Sequence, residues 1–251
     1  MTRRILVTRP QGQDRELDQL LRQRGLSPIC VPTVAIDAES VAPALDAAMD
    51  ALTGTDWLVV TSRNGAEAVA RRLGGRRGML PSATRLAAVG PATAAALRQA
   101  GLRVDHVPDD YLTVAIADGL GDVAGRRVLL ARADAATPEL RAALVARGAT
   151  VEEVVAYRTI VGPAGSRDAL RAALQDLDGI AFTSSSTVRG LLRLASSLDR
   201  RRARSVPAFC IGPVTGETAR RYGFQVKAVA APHTAPALAD AIALHFGIEP
   251  R

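Results

Sequence analysis

Cysteine, histidine, lysine and aromatic side chains are all scarce in this chain of 251 residues. The two cysteines, Cys30 and Cys210, are far apart and each sits in an apolar stretch, so both are expected to pack as small hydrophobes, with no disulfide. His106, His233 and His245 have no metal-ligand spacing, and no metal is expected. Aromatics are only 3% of the chain, which leaves the core to Leu, Val, Ile and Ala and leaves few rings for stacking on bases. No apolar run approaches the ~20 residues of a membrane span. The opening MTRRILVTRP has too short an apolar stretch for a signal peptide, so a cytoplasmic protein with no membrane partner is expected.

Several chemical signatures are missing as well. GLGDVAG near Gly119 precedes a strand pattern at Val128 and follows none, so it is no dinucleotide fingerprint. There is no Gly-Lys-Ser/Thr phosphate loop, no Gly-x-Ser-x-Gly elbow, and no Cys or Ser with an evident base beside it. No Asp or Glu falls at the strand ends considered below, although a paired-carboxylate centre is not excluded by that.

What the chain does contain is arginine. Basic residues outnumber acidic ones by 32 to 25, a net charge of +7, and Lys227 is the only lysine. Such a balance suits nucleic acid, an anionic membrane or a polyanionic small molecule, and the shortage of aromatics makes nucleic acid the weaker choice. The densest basic run, Arg200 to Arg204, reads as a solvated surface loop.

The chain also contains itself twice. RRILVTRP from Arg3 returns as RRVLLARA from Arg126, and DWLVVTSRNG from Asp56 returns as DGIAFTSSST from Asp178. LAAVGPATAAALRQAG from Leu86 matches AFCIGPVTGETARRYG from Ala208, and VAIADGL at Val114 matches PALADAI at Pro236. Four blocks in one order at an offset of 122 to 123 residues indicate an internal duplication. Each copy alternates short apolar runs (ILVT, WLVVT, LAAVG) with helical patterns such as DRELDQLLRQRG, where Leu17, Leu20 and Leu21 share a face and Gly25 ends the helix. Alternation of this kind predicts an α/β fold: two domains, each a parallel sheet covered by helices, with a first cut near Asp122.

Open parallel sheets bind ligands beyond the carboxyl ends of their strands. Arg9 and Arg132 are expected to end the first strand of each copy, Ser62 and Ser184 follow the next, and Thr93 and Thr215 follow Gly-Pro-x turns that open helices. Pro91 and Pro213 suit a first helical position. The unpaired amides and positive dipole end there can seat a carboxylate or phosphate. Ser and Thr at helix starts are also common caps, and surface arginines are common without ligands. The residues alone leave both readings open.

Six motifs decide between broader classes: VTRP at Val7, VTSRNG at Val60, VGPAT at Val89, VVAYRTI at Val154, FTSSSTV at Phe182 and IGPVT at Ile211. In this order, and spanning nearly the whole chain, they resemble the uroporphyrinogen-III synthase family. The resemblance implies two flavodoxin-like α/β/α domains joined by two extended segments, near Val31–Ile36 and Val154–Ile160. It moves the boundary: residues 1–36 with 160–251 form a discontinuous domain, and 37–159 form an inserted one. On that division the first carries 18 basic and 10 acidic residues and the second 14 and 15, so the positive charge lies on one side.

The resemblance further implies a lyase that cyclises hydroxymethylbilane, a linear tetrapyrrole with eight carboxylates, to uroporphyrinogen III. Water is lost, ring D inverts through a spiro intermediate, and neither a cofactor nor a partner beyond the substrate is needed. A monomer is expected. It carries Tyr157 over as the catalytic residue, since a phenol, ordinarily titrating near ~10, can protonate a departing hydroxyl. Thr93, Ser62, Ser184 and Thr215 carry over as hydroxyls that seat carboxylates. Arg9 and Arg132 carry over too, although LARA departs from VTRP. SRNG and SSST also differ, so the two copies are not expected to grip the substrate alike. The alternative class is a non-catalytic sensor or carrier of a polyanion on the same fold.

Overall fold

The structure, a computed structural model, describes residues 2–13, 15–74, 80–109 and 115–249; Asp14 and Val114 of the sequence blocks lie outside these. The chain opens with β1 (Arg4–Val7), α1 (Arg15–Gln23), β2 (Ser27–Cys30), β3 (Val34–Asp37), α2 (Ala42–Asp50) and β4 (Trp57–Val60). It continues through α3 (Arg63–Gly74), β5 (Arg85–Ala88), α4 (Pro91–Gln99), α5 (Ala115–Gly119), β6 (Arg127–Ala133) and α6 (Glu139–Ala146). Next come β7 (Thr150–Val161), α7 (Arg167–Ala173), β8 (Gly179–Phe182), α8 (Ser185–Leu194) and α9 (Ser197–Ser205). It closes with β9 (Pro207–Cys210), α10 (Pro213–Arg221), β10 (Gln225–Val229) and α11 (Ala235–His245). No described helix is long and apolar enough to cross a membrane.

Two compact units result, residues 1–35 with 160–251 and residues 36–159. The chain passes from one to the other within β3 and within β7, far from Asp122.

In the first unit the strand order is β10-β9-β8-β1-β2, every pair parallel. The first strand lies inside the sheet and the second at its edge, the arrangement in which successive crossovers wind onto opposite faces. Side chains show this with period two. Leu6, Ile180, Phe182, Ala208 and Cys210 pack with α7, α8, α9 and α10 on one face. Ile5, Val7, Ala181 and Phe209 pack with α1 and α11 on the other. Continuous apolar strands are what a sheet buried on both sides requires.

The second unit orders its strands β3-β7-β6-β4-β5. Its pairs β7·β6, β6·β4 and β4·β5 are parallel, and His106 adds a parallel bridge beside Ala87 of β5. Leu58, Val60, Leu86, Ala88 and Ala131 face α2, α3 and α4, while Trp57, Val59, Ala87, Val128 and Leu130 face α5 and α6.

Helix ends follow the chain's glycines. At Gly25 (φ 73°) the amide donates to Arg22 O and the next amide, Leu26 N, reaches back to Leu21 O; the same double bond pattern closes α4 at Gly101. Both are left-handed turns that glycine adopts without a Cβ penalty. Leu17 and Leu21 are buried as the periodicity predicts, with Leu20 at the margin of the same cluster.

Two readings of the sequence are corrected. The arginines from Arg200 to Arg204 lie on α9 and not on a loop. Ser196 caps that helix with a box in which Asp199 answers back, so a local N-terminal signal outweighs the unfavourable run of like charge. Cys210 is buried, but Cys30 is exposed, its Sγ 3.7 Å from an Asp18 carboxylate oxygen, because β2 is an edge strand. Burial pushes the Cys210 thiol up to about 11, so it behaves as a hydrophobe.

One carboxylate in each unit fastens the sheet. Asp178 accepts the Arg4 amide at 2.8 Å and pairs with Arg3 at 2.7 Å; Asp56 accepts the Arg127 amide at 2.9 Å and pairs with Arg126 at 2.9 Å. Burial pushes Asp178 up, but the Arg4 amide and the Arg3 guanidinium outweigh it and leave the group below the usual carboxylate range. The Arg127 amide, with help from Arg126 against burial, does the same to Asp56. A carboxyl depressed in the folded state stabilises it above the unfolded value, ~3.9, and loses that contribution as the pH falls through the folded one. The doubly substituted Asp56→Asn, Asp178→Asn protein should therefore melt below the unsubstituted one near about pH 7 and approach it near about pH 2. Equal gaps at both pH values would show that charge is not what these groups contribute.

Candidate functional site

In the first unit β9, β8 and β1 are neighbours running the same way, so whatever follows each of them lies along one edge of the sheet. Ser184 follows β8 as the N-cap of α8, Gly212 follows β9 as the N-cap of α10, and Arg9 follows β1. The winding reverses between β1 and β8, since α1 covers one face and α8 the other; this is the position where open α/β sheets form crevices for ligands. The second unit repeats the pattern with Arg132 of β6, Ser62 after β4 and Gly90 after β5.

The hydroxyl residues divide into two kinds. Ser62 Oγ accepts the Gly65 amide at 3.0 Å, and Ser184 Oγ accepts the Thr187 amide at 3.2 Å. Both serines are caps in the strict sense, using their oxygens on their own helices. Thr93 and Thr215 are not. They are third residues of α4 and α10, whose N-caps are Gly90 and Gly212 in extended backbone with no side-chain cap. Both threonines are buried, 3% and 5% exposed, and neither hydroxyl has a hydrogen-bond partner among the described residues.

The amides match this division. Pro91 and Pro213 have no N–H to leave unpaired, and the amides of Ala94 and Gly216 return to the cap carbonyls of Gly90 and Gly212. Between them, the amides of Ala92, Thr93, Val214 and Thr215 find no acceptor among the described residues. On α8 the same holds for Ser185 and Ser186. Each helix start is thus a set of donors at the positive end of a dipole, suited to an anion.

The two arginines part company. Arg9 is half-buried, its guanidinium donating to Gln13 O at 3.2 Å. Arg132 does not end its strand: β6 runs on to Ala133. The residue is 5% exposed, and its guanidinium donates to Glu153 at 2.6 Å and to Thr137 O, leaving Nε buried and unpaired among the described residues. Glu153 reaches it from the adjacent strand, β7. Spacing alone could not reveal that capture.

Tyr157 lies in β7, 7% exposed, within the cluster that covers the α2–α3–α4 face. A register shift puts it there. Arg132 pairs with Val155, but the next residue, Ala133, pairs with Tyr157, so Ala156 is the extra residue of a bulge. Bulges re-aim side chains. Without it Tyr157 would alternate onto the opposite face from Ala131 and Val154. Its hydroxyl makes no hydrogen bond among the described residues.

His106, His233 and His245 do not assemble: no described group of three or more His, Cys, Asp or Glu side chains could hold a metal ion.

Residues 15–240 match the family model described as uroporphyrinogen-III synthase HemD. The chain belongs to the uroporphyrinogen-III synthase family. A uroporphyrinogen-III synthase of Synechococcus elongatus is 35% identical over 248 residues, covering 95% of this chain and 93% of the relative. Among solved structures, a mutant uroporphyrinogen III synthase from the extremely thermophilic bacterium Thermus thermophilus superposes with a TM-score of 0.66 at 22% identity, covering 98% of this chain and all of that one. Uroporphyrinogen-III synthetase of Helicobacter pylori 26695 gives 0.60 at 16% identity with the same coverage. At such identities the two structures speak for the shared α/β fold.

Residues missed by motif reading are Ser185, Ser186 and Val214, whose amides or hydroxyls stand beside the predicted ones. The second serine of SSST and the x of Gly-Pro-x were the available signals. The capping distinction has a direct consequence. Ser62→Ala and Ser184→Ala should each lower stability by ~1 kcal/mol. Thr93→Val and Thr215→Val, which remove unpartnered hydroxyls at constant shape, should leave it within ~0.5 kcal/mol. Denaturant midpoints of the four variants check this, and a large loss in either valine variant would restore the threonines to a structural role.

Proposed function

We propose that the chain is a cyclising lyase that converts hydroxymethylbilane to uroporphyrinogen III, and that the free helix-start amides receive the substrate's carboxylates. The family match over residues 15–240 carries the reaction; the donor sets at α4, α8 and α10 support the manner of binding. A linear tetrapyrrole with eight carboxylates needs many separate anion seats and no single deep one. Net charge agrees, since the unit made of residues 1–35 and 160–251 contains α8, α10 and an excess of basic over acidic residues.

The reaction is regiochemically demanding but needs little covalent help. Loss of the hydroxyl as water gives an azafulvene, whose electrophilic carbon is attacked by the substituted carbon of ring D; fragmentation and re-closure of the spiro species invert that ring. Holding the chain in one geometry selects this path over direct closure. Thr93 and Thr215 serve as donors to carboxylates, their hydroxyls being uncommitted, whereas Ser62 and Ser184 act mainly by shaping the turns. Arg9 is the arginine suited to a carboxylate; Arg132 contributes by bracing Thr137 and Glu153. Tyr157 donates a proton to the departing hydroxyl, presented by the bulge at Ala156. The two units are read as flavodoxin-like copies of one ancestral domain, acting as a monomer on a small molecule in the cytoplasm, without nucleic acid or membrane.

Fresh hydroxymethylbilane, followed by oxidation and chromatographic separation of the type I and type III uroporphyrins, tests this directly. Type III should dominate. Tyr157→Phe should slow its formation about a hundredfold with the melting temperature preserved. Type I alone from folded protein would end the enzymatic reading; undiminished turnover in Tyr157→Phe would remove the tyrosine from the mechanism.

A further inference from the structure

Two hydroxyls in the first unit link α8 to α10 by hydrogen bonds, a link that the equivalent positions of α3 and α4 do not make. Ser185, first residue of α8, places Oγ 2.8 Å from Thr218 Oγ1 of α10 and 3.4 Å from Val214 O. Thr218 Oγ1 lies 2.9 Å from the same Val214 carbonyl, one turn back on its own helix. A hydroxyl has one hydrogen. Either hydroxyl can be the donor between Ser185 and Thr218, and with Val214 O as the terminal acceptor the three oxygens form a relay that ties α8 to α10.

The ends of that relay are the two donor sets described above. Ser185 belongs to the first turn of α8, whose amides at Ser185 and Ser186 are uncommitted; Val214 belongs to the first turn of α10, with uncommitted amides at Val214 and Thr215. At the equivalent positions, 122 residues earlier, stand Arg63 and Ala96. Arg63 pairs with Glu67 on its own helix and alanine has no hydroxyl, so these two positions carry no such relay from α3 to α4.

We infer that Ser185 and Thr218 are positioning residues that hold the α8 and α10 donor sets in fixed register with one another for carboxylates of one substrate molecule. This rests on the proposal that those helix starts seat the substrate. Ser185 commits its hydroxyl across the helix pair, which separates it from Thr215, whose hydroxyl is uncommitted. Val214 fits the same picture: it is an apolar residue, 71% exposed, at the second position of α10 beside the donors of that helix start. A pyrrole face flanked by its own acid side chains is the complementary shape.

Steady-state kinetics with hydroxymethylbilane on Ser185→Ala, Thr218→Val and the double variant tests the relay. Each single variant should raise KM about fivefold, the scale of one neutral hydrogen bond, with the effect falling on KM and not on kcat. The double variant should be no worse than either single one, because each removes the same link. Thr218→Ser, which keeps the hydroxyl, should restore KM. Unaltered KM in a folded single variant, additive effects in the double, or no rescue by serine would overturn the inference. A shared fall in melting temperature with KM unmoved would also overturn it, leaving a structural role. Failure of the unsubstituted protein to form type III product would instead strike the proposed function, so the two can fail separately.

Discussion

Both segments that leave the first unit meet at one buried residue, Thr33. Its amide and hydroxyl reach Thr8 O at 3.3 and 3.2 Å, and the hydroxyl also lies 2.9 Å from Thr187 O in α8. Its carbonyl accepts the Gly162 amide at 2.9 Å and passes so close to α8 that a Cβ on Gly190 would stand 1.9 Å from the oxygen. The end of β1, the exit from β2, the return from β7 and the first turns of α8 are therefore held through a single side chain and its peptide. Glycine at position 190 is demanded by contact and not by backbone angle, since no left-handed φ is involved. The donors at α8 take their placement from this node, as does Arg9, two residues beyond Val7.

Elsewhere the two units solve the same problems with the same groups. An aspartate closes onto the amide that opens the first strand, at Asp178 and Asp56. Glycines at 25 and 148, and at 101 and 223, end corresponding helices with the same pair of reverse bonds. Gly-Pro opens α10 and α4 with nearly identical extended caps. These are backbone requirements, met by few residue types, whereas exposed helix positions are open to many.

That same distinction governs what could be read beforehand. Strands such as Trp57–Val60 and Gly179–Phe182 are legible because burial on both faces demands unbroken apolar runs. The helix starts at Pro91 and Pro213 are legible because proline fits there. Arg132 was legible only as a residue type; its capture by Glu153 depends on the pairing of β6 with β7, which no local pattern encodes. The bulge at Ala156 is equally silent, since one inserted residue in a run of valine, alanine and tyrosine leaves no mark on composition. Helix α9 is hidden in the sequence because its charge density masks the capping signal of Ser196 and Asp199, and the exposure of Cys30 is hidden because apolar sequence neighbours do not distinguish an edge strand from a core one.

Two units of like strand order offer two like sets of helix-start donors, but the reaction proposed for this chain inverts one ring and leaves three alone. Equivalent halves could not define which ring is which. The departures from the repeat supply the difference. In one unit hydroxyls join α8 to α10 and Arg9 remains near the strand end. In the other, Arg63 turns to Glu67, Arg132 is drawn into the sheet, and a bulge brings forward a tyrosine. Excess positive charge lies with the first set and the phenol with the second, so in the proposed reaction recognition of carboxylates falls mainly to one unit and delivery of a proton to the other. Asymmetry of this kind is what two units of like topology need before they could direct an asymmetric closure.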